Sequence, residues 1–224
     1  MLRQVSTMSK LTELLDELCP DGVQNARFSE VCEYVRGVTY KKDQELPADS
    51  ALGFKLLRAN NITVGANVLN FDEVKVVSPD VKVSERQKLS AGDILICAGS
   101  GSKQHIGKVA YIESDMPYTF GGFMAVIRTN GNVDSRYLFH VLTGDMFKNY
   151  LQVALTSTTI NNLNQRIMGN FAFPVPPLEV QQEIVAKLDA FSDLIQSIEQ
   201  EISLRRKQYE FYRDELLSFA PKED

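Results

Sequence analysis

The feature that most constrains the fold is a long apolar repeat in the C-terminal part of the chain. Between Leu178 and Phe219 the sequence contains no glycine or proline, and apolar side chains recur at alternating spacings of four and three residues. This heptad spacing predicts one continuous helix over 178–219 whose apolar stripe packs against a second helix as a coiled coil. The stripe consists of Ile184, Leu188, Phe191, Ile195, Ile198, Ile202, Tyr209, Tyr212 and Leu216.

The partner helix for this stripe has to come from another chain. A helix of this length extends about 60 Å at a rise of about 1.5 Å per residue, and the rest of the sequence contains no second helical repeat of similar length. A stripe left in water forgoes roughly 1.5–3 kcal/mol for each large apolar side chain that a partner would bury. We therefore expect 178–219 to be a dimerisation and spacer helix, followed by a short tail at 220–224.

Proline residues indicate a domain boundary just before this helix. Pro174, Pro176 and Pro177 are incompatible with a helix interior or a central strand, although a proline pair can precede the first helical turn. We expect a globular domain over residues 9–177, preceded by a disordered N-terminus at 1–8. The 44% of apolar residues in the chain is enough to form the core of such a domain.

The globular domain combines strand-like and helical patterns. Apolar residues at helical spacing between Leu11 and Leu18, and again between Tyr137 and Leu151, predict helices. Runs of β-branched and aromatic residues bounded by turn residues predict strands at 54–57, 74–77, 93–98, 109–112 and 124–128. The expected fold class is α+β, with a strongly curved mixed or mainly antiparallel sheet followed by one long C-terminal coiled-coil helix.

A glycine-rich segment, GDILICAGSGSKQHIGK, joins two of the predicted strands. A phosphate-binding loop requires G-x-x-x-x-G-K-[ST] and a helix that follows it. Counting back from Gly107, the first required glycine is Ser102, and the required hydroxyl is replaced by Val109. The following VAYI favours a strand. The segment therefore predicts a β-hairpin, and an NTPase or hydrolase built on this loop is the weakest of our hypotheses.

The sequence offers little for catalysis or metal binding. The three cysteines have no metal-ligand spacing, and the two histidines form no cluster with them. A pairing of Ser100 or Ser102 with His105 lacks the helix that follows a nucleophile elbow. We predict no catalytic residue and no metal ligand in this chain.

Three polar segments carry side chains suited to nucleic acid. Arginine and asparagine form paired hydrogen bonds with guanine and adenine edges, and other polar and basic side chains contact phosphates. The segments are 58–61, the glycine-rich loop at 100–108, and 156–166. A turn or a helix cap explains several of these residues equally well. The predicted DNA-binding residues are Arg58, Asn60, Asn61, Ser100, Ser102, Lys103, Gln104, His105, Lys108, Thr158, Thr159, Asn161 and Asn162.

The acidic net charge does not exclude a nucleic-acid partner. The chain has a formal net charge of −5, and residues 178–224 hold 11 acidic and 6 basic residues, which account for all of it. Residues 1–177 are neutral overall. Such a domain can still present a basic face, because phosphate binding depends on local charge.

The sequence also indicates the compartment. The segment MLRQVSTMSK lacks the apolar stretch of a secretory signal, and the chain has no apolar run of 18 residues. An odd number of cysteines fits reduced thiols. We expect a cytoplasmic protein with no membrane partner.

Three sequence motifs together resemble the specificity subunit of type I restriction-modification systems. They are LTELLDELCPDGV, the strand-loop-strand GDILICAGSGSKQHIGKVAYI, and NFAFPVPPLEVQQEIVAKLDAFSDLI followed by the heptad helix. The most specific element is the helix entry P-P-L-x-x-Q-x-x-I-x-x-x-L-D. The resemblance implies a target-recognition domain for one half of a bipartite DNA site, followed by a spacer helix.

The chain departs from this family in its length. Family members usually carry two recognition domains and two such helices, whereas this chain has one of each. A half-length subunit that dimerises through its helix satisfies both the family pattern and the unpaired apolar stripe, and a two-fold pair would recognise an interrupted palindrome. Pairing with a different half-subunit, or truncation of a longer protein, remains open at this point.

The resemblance also implies partners and cofactors. Methyltransferase subunits would methylate adenine with S-adenosylmethionine, and a restriction subunit would use ATP and Mg²⁺, so that no cofactor is expected in this chain and no enzymatic activity of its own. The expected partners are double-stranded DNA, another half-subunit, and these methyltransferase and restriction subunits. The alternative hypothesis is a coiled-coil interaction adaptor that does not touch DNA.

Overall fold

A computed structural model describes residues 2–101, 105–156 and 162–219, with no account of the side chains of residues 2–9 and 156. The chain divides into two compact units, one ending at Glu183 and the other beginning at Ile184. The first unit contains all of the strands, and the second consists mainly of the long helix.

The described elements confirm the α+β class. The helices are α1 Leu2–Leu18, α2 Phe28–Val31, α3 Ser135–Thr143, α4 Asp145–Thr156, α5 Gln165–Gly169 and α6 Leu178–Leu217. The strands are β1 Asn25–Arg27, β2 Cys32–Arg36, β3 Glu45–Leu46, β4 Phe54–Leu57, β5 Lys75–Val77, β6 Lys88–Leu89, β7 Ile94–Cys97, β8 Val109–Tyr111, β9 Met116–Phe120, β10 Met124–Thr129 and β11 Ala172–Pro174.

The strands form three sheets rather than the single curved sheet that we expected. A four-stranded antiparallel sheet has the order β2–β10–β7–β8, and a five-stranded mixed sheet has the order β3–β5–β4–β9–β6, in which β4 and β9 are parallel. Strands β1 and β11 form a separate antiparallel pair. The chain passes between the two large sheets four times, after β2, β6, β8 and β9, and the last of these crossings is at Gly121–Gly122.

The two large sheets share one hydrophobic core. Leu57, Leu89 and Phe120 of the five-stranded sheet pack with Leu95 and Val126 of the four-stranded sheet, and all five are buried. Dispersion and hydrophobic burial at this interface hold the sheets together. The ends of β4, β7 and β9 are thereby kept close to one another.

All five predicted strands are present, within one or two residues of their expected bounds. The other six were missed because most of them are two or three residues long and because β9 contains Pro117. Such strands form because they pair with strands that are distant in the sequence, and local strand propensity cannot predict this pairing.

The N-terminal and central helices differ from the expectation. Helix α1 begins at Leu2, in place of the disordered segment predicted at 1–8, and no glycine or proline interrupts it before Pro20. The helical pattern between Tyr137 and Leu151 belongs to two helices separated at Gly144. Asp134 caps α3, its Oδ1 accepting from the backbone N–H of Tyr137 at 3.0 Å.

The glycine-rich segment forms the predicted β7–β8 hairpin, with Leu95 opposite Ala110. Gly107 closes the loop, its N–H donating to the Cys97 carbonyl at 2.9 Å. Its φ of +80° favours glycine, and a Cβ there would lie 2.2 Å from Leu151 Cδ1. Gly107 therefore serves the hairpin and its packing against α4.

A buried amide anchors the first turn of α6 within the globular unit. Gln181 is 0% exposed. Its Nε2 donates to the carbonyls of Pro176 at 2.7 Å and Asn132 at 3.1 Å, and its Oε1 accepts from the Asp134 N–H at 2.8 Å. Glu183 is also buried, and its carboxylate meets Lys10 Nζ of α1 at 2.6 Å. The glutamine of the P-P-L-x-x-Q motif is therefore a structural residue.

Beyond Glu183, helix α6 presents the predicted stripe to solvent. The helix begins at Leu178, as predicted, and ends at Leu217. Eight of the nine stripe residues are exposed, from 39% at Leu188 to 72% at Leu216, and Ile184 is half-buried. An apolar stripe of this length in water indicates an interface.

No helix within the described ranges combines the length and the apolar character needed to cross a membrane.

We predict that Gln181→Leu lowers the free energy of unfolding by about 3 kcal/mol, because one N–H and two carbonyls then lose their partner in a buried site. Denaturant-induced unfolding followed by circular dichroism measures this loss. The matched control is Gln182→Leu, since Gln182 is the exposed neighbour on the same helix. Equal effects of the two substitutions would contradict the anchoring role.

Candidate nucleic-acid interface

The three predicted polar segments converge at the end of strand β7. The Ala98 carbonyl accepts from the Leu163 N–H at 2.6 Å, and the Ala98 N–H donates to the Phe123 carbonyl at 2.8 Å. Gly99 forms an antiparallel bridge with Asn162. Residues of the 156–166 segment thus join the start of the glycine-rich loop through main-chain hydrogen bonds.

Lys108 joins the third segment to the same loop. Its Nζ donates to the carbonyls of Ala59 at 2.8 Å and Ile62 at 2.7 Å. Burial lowers the pKa of the Lys108 ammonium group, because desolvation disfavours its charge. Two of the three N–H donors of Lys108 thus tie the hairpin to the turn at 59–62, and its predicted phosphate contact stays a prediction.

Asn61 is also a structural residue rather than a base contact. It is 0% exposed, its Oδ1 accepts from the Arg58 N–H at 2.8 Å, and its Nδ2 donates to the Asn70 carbonyl at 3.1 Å. An amide that is fully buried and bonded to the backbone at both ends is not accessible to a base. We therefore remove Asn61 from the predicted interface.

Arg58 and Asn60 remain at the surface of this turn. Asn60 is exposed, and Arg58 is partly exposed. Both approach the exposed carboxylate of Glu73, with Asn60 Nδ2 at 3.3 Å and Arg58 Nη2 at 3.9 Å from Oε2. Exposed contacts of this kind contribute little to stability. A DNA acceptor can therefore replace Glu73 at small cost.

Asn162 is held in place by strand β2. Arg36 Nη1 donates to Asn162 Oδ1 at 3.2 Å, and the Tyr34 hydroxyl donates to the Leu163 carbonyl at 2.6 Å. Burial raises the pKa of Tyr34 to about 12, so this hydroxyl keeps its proton. Sequence analysis missed both anchors. The alternation in CEYVR is a signal for the strand, but nothing in it identifies a partner some 126 residues away.

Two buried nitrogen atoms at this surface have no hydrogen-bond partner in the described part of the chain. They are Arg58 Nε and His105 Nδ1, and both belong to residues predicted to contact DNA. A buried donor or acceptor without a partner is uncommon, because it has lost water and gained nothing.

The remaining predicted contacts are placed as follows. Ser100 and His105 are half-buried at the two ends of the glycine-rich loop. Ser102, Lys103, Gln104, Thr158, Thr159 and Asn161 lie outside the described residues, so their predicted contacts stay predictions. The described basic groups here are Arg36, Arg58 and Lys108. The carboxylates of Glu73, Asp72 and Glu45 lie near Arg58, so the described surface is polar and carries charges of both signs.

We predict that Lys108→Met loosens this surface, because the carbonyls of Ala59 and Ile62 lose a charged donor. Hydrogen–deuterium exchange should rise in peptides covering 54–63 and 93–111, with a loss of stability of about 1–3 kcal/mol. The control is Lys82→Met, at an exposed lysine. Unchanged exchange at 54–63 in the Lys108 variant would show that the turn does not depend on this contact.

Comparison with known proteins supports the resemblance carried by the motifs. The family model described as type I restriction modification DNA specificity domain matches residues 20–204. The chain is 34% identical over 171 residues to the type I restriction enzyme EcoKI specificity subunit of Escherichia coli strain K12, an alignment of 76% of this chain and 36% of that protein. It is 30% identical over 165 residues to the EcoR124I/EcoR124II specificity subunit of Escherichia coli, covering 71% of this chain and 40% of that protein.

Solved structures share the fold. The HsdS subunit from Thermoanaerobacter tengcongensis superposes with a TM-score of 0.58 at 19% identity, over 89% of this chain and 46% of that chain. A chain from a study of complex assembly and conformational transition of the type I R-M system gives 0.57 at 21% identity, over 95% and 49%. The chain thus spans about half or less of the length of these proteins. Since the family model covers most of the sequence, the chain belongs to the type I restriction-modification DNA specificity domain family.

Proposed function

We propose that this chain is a specificity subunit that recognises one half of a bipartite DNA site. The observation that carries the proposal is the convergence of three polar segments on one surface, where Arg58 and His105 each hold a buried nitrogen with no hydrogen-bond partner among the described residues. Family membership supplies the class of ligand. Duplex DNA offers both base-edge and phosphate acceptors to such a surface.

The described residues suggest a division of roles. Arg58 and Asn60 are free to exchange Glu73 for base edges, and arginine and asparagine suit guanine and adenine. Asn162 presents its amide from a position held by Arg36. Lys108 and Asn61 hold the loops that carry these side chains. Recognition then depends on a rigid backbone with a few exposed polar groups.

Pairing through helix α6 would bring in a second recognition domain, which would read the second half of the site. The chain spans less than half of the curated relatives reported above, and its exposed apolar stripe fits a second helix of the same kind. A two-fold pair of this chain would place two identical domains on an interrupted palindrome. Pairing with a different half-subunit would give an asymmetric site.

The chain itself performs no chemistry in this proposal. Methyltransferase subunits would bind S-adenosylmethionine and methylate adenine in the recognised site, and a restriction subunit with ATP and Mg²⁺ would cleave unmodified DNA. The assembly would operate in the cytoplasm. The target base has to leave the base stack of the DNA for methylation. The specificity subunit would therefore have to bind the flanking duplex tightly.

Methylation mapping tests this function. Expression of the chain with the methyltransferase subunit of its system is expected to add methyladenine at one bipartite motif, which is palindromic for a homodimer. Arg58→Ala or Asn60→Ala is expected to relax one position of the half-site by about 1–3 kcal/mol, because a base-edge contact is lost. The control is Lys41→Ala, at an exposed lysine of another loop.

No added methylation in cells that express both subunits would refute the proposed function. An unchanged motif in both the Arg58 and the Asn60 variants would remove this turn from base recognition and leave the function intact.

Pairing through α6 is tested by sedimentation velocity of the intact chain over a range of concentrations. The wild-type chain is expected to be a dimer, and Ile198→Asp with Ile202→Asp a monomer, because two carboxylates in the stripe would have to be desolvated. The control is Gln196→Asp with Gln200→Asp, which adds the same charge to exposed positions beside the stripe. A wild-type monomer at high concentration that dimerises only with a different half-subunit would favour the asymmetric site.

A further inference from the structure

One large apolar side chain lies among the polar groups of the interface. Phe123 is 73% exposed, and it follows Gly121 and Gly122 in the turn between β9 and β10. Burial of a phenylalanine side chain contributes favourably to stability. Phe123 gains little of this stabilisation in the fold. The sequence alone does not distinguish it from a phenylalanine of the core.

The turn that carries Phe123 is fixed by its own backbone. The Phe123 carbonyl accepts from the N–H groups of Ala98 and Gly99, both at 2.8 Å, and the Gly121 N–H donates to the Leu57 carbonyl at 2.9 Å. Arg36 Nη2 donates to the Gly122 carbonyl at 2.6 Å. These bonds fix the backbone of Phe123 independently of its side-chain packing.

Close packing removes the remaining freedom of the turn. A Cβ on Gly37 would lie 2.2 Å from the Gly121 carbonyl oxygen, so the end of β2 passes directly against the turn. Gly121 and Val38 form a parallel bridge at the same place. Because the backbone of this turn is already ordered, covering the Phe123 ring costs side-chain entropy and little backbone entropy.

The same bonds put Phe123 between the three polar segments. Leu57 directly precedes Arg58, Ala98 and Gly99 begin the glycine-rich loop, and the Arg36 guanidinium that holds this turn also holds Asn162. The backbone of Phe123 is therefore bonded to the glycine-rich loop, and its turn is bonded to the strand end before Arg58 and to the arginine that holds Asn162. A Cβ on Gly121 would lie 3.9 Å from Arg58 Cγ, so the Arg58 side chain passes beside this turn.

The chemistry of these neighbours selects the occupant. An apolar protein surface placed over the ring would also desolvate the Arg58 guanidinium and the Asn60 amide without supplying acceptors. The major groove supplies both kinds of contact, because base edges accept hydrogen bonds and the thymine 5-methyl group is apolar. A base-pair edge that carries thymine fits the ring and its polar neighbours together.

We propose that Phe123 is a specificity-determining residue that packs against the 5-methyl group of a thymine in the half-site. The inference rests on the proposed function and adds to it an apolar contact that selects A·T over G·C at one position. Adenine, the methylation target in that proposal, ensures at least one A·T pair in the site.

The experiment measures binding of the full-length chain, in complex with its methyltransferase subunit, to a duplex that contains the mapped motif. Phe123→Ala is compared with Leu52→Ala, since Leu52 is 72% exposed and lies at the opposite end of β4 from Arg58. Each thymine of the half-site is replaced in turn by deoxyuridine, which lacks the methyl group and keeps the pairing edge. A duplex of unrelated sequence measures non-specific binding.

The expected result is a loss of roughly tenfold in affinity for the motif with Phe123→Ala, no loss with Leu52→Ala, and unchanged non-specific binding. One deoxyuridine substitution should weaken the wild-type complex and have no further effect on the Phe123→Ala complex. Phe123→Leu should retain most of the affinity, because it keeps an apolar contact at the same point. Unchanged thermal unfolding would show that the fold is intact.

Three outcomes would overturn the inference while the proposed function stands. They are full affinity of Phe123→Ala for the motif, an equal loss on the motif and on unrelated DNA, and a loss that is additive with every deoxyuridine substitution. Failure of the wild-type complex to prefer its motif would instead refute the proposed function.

Discussion

The interface is organised around the peptide groups of Ala98 and Gly99, at the point where strand β7 ends. Their N–H groups bind the turn at Phe123, and the Ala98 carbonyl binds Leu163. Lys108, at the other end of the same loop, binds the turn after β4. Four parts of the sequence that are far apart thereby share a single hydrogen-bonded junction. Because the bonds are mostly main-chain bonds at the edge of a buried core, they are protected from competition with water.

The sequence predicts those parts of this structure that depend on local periodicity. The β7–β8 hairpin and the start of α6 at Leu178 agree with their predictions, because alternation, heptads and prolines act within a few residues. The short strands β3 and β6 follow no such pattern, and they form because a partner strand is nearby. The crossing between sheets at Gly121 likewise has no local signal. Family resemblance identified the class of protein but not the arrangement of its sheets.

The candidate site was predictable as a set of segments and not residue by residue. Asn61 and Lys108 have the right chemistry for DNA, yet their polar groups bind carbonyls of the fold. Conversely, Phe123 has the apolar side chain of a core residue, yet that side chain is exposed to solvent. Whether a polar or apolar side chain faces a ligand depends on where distant strands end, and sequence spacing carries no information about that.

The junction also bears on how such a protein changes its target. The bonds that join the glycine-rich loop, the turn at Phe123 and the segment at Leu163 use peptide groups, which every non-proline amino acid possesses. Replacement of Asn60, Phe123 or Asn162 by another residue leaves these peptide bonds and their partners in place. Under the proposed function, new base preferences would therefore arise by point substitution on an unchanged frame, and a lineage would diversify its recognised motif without first re-evolving the fold that displays it.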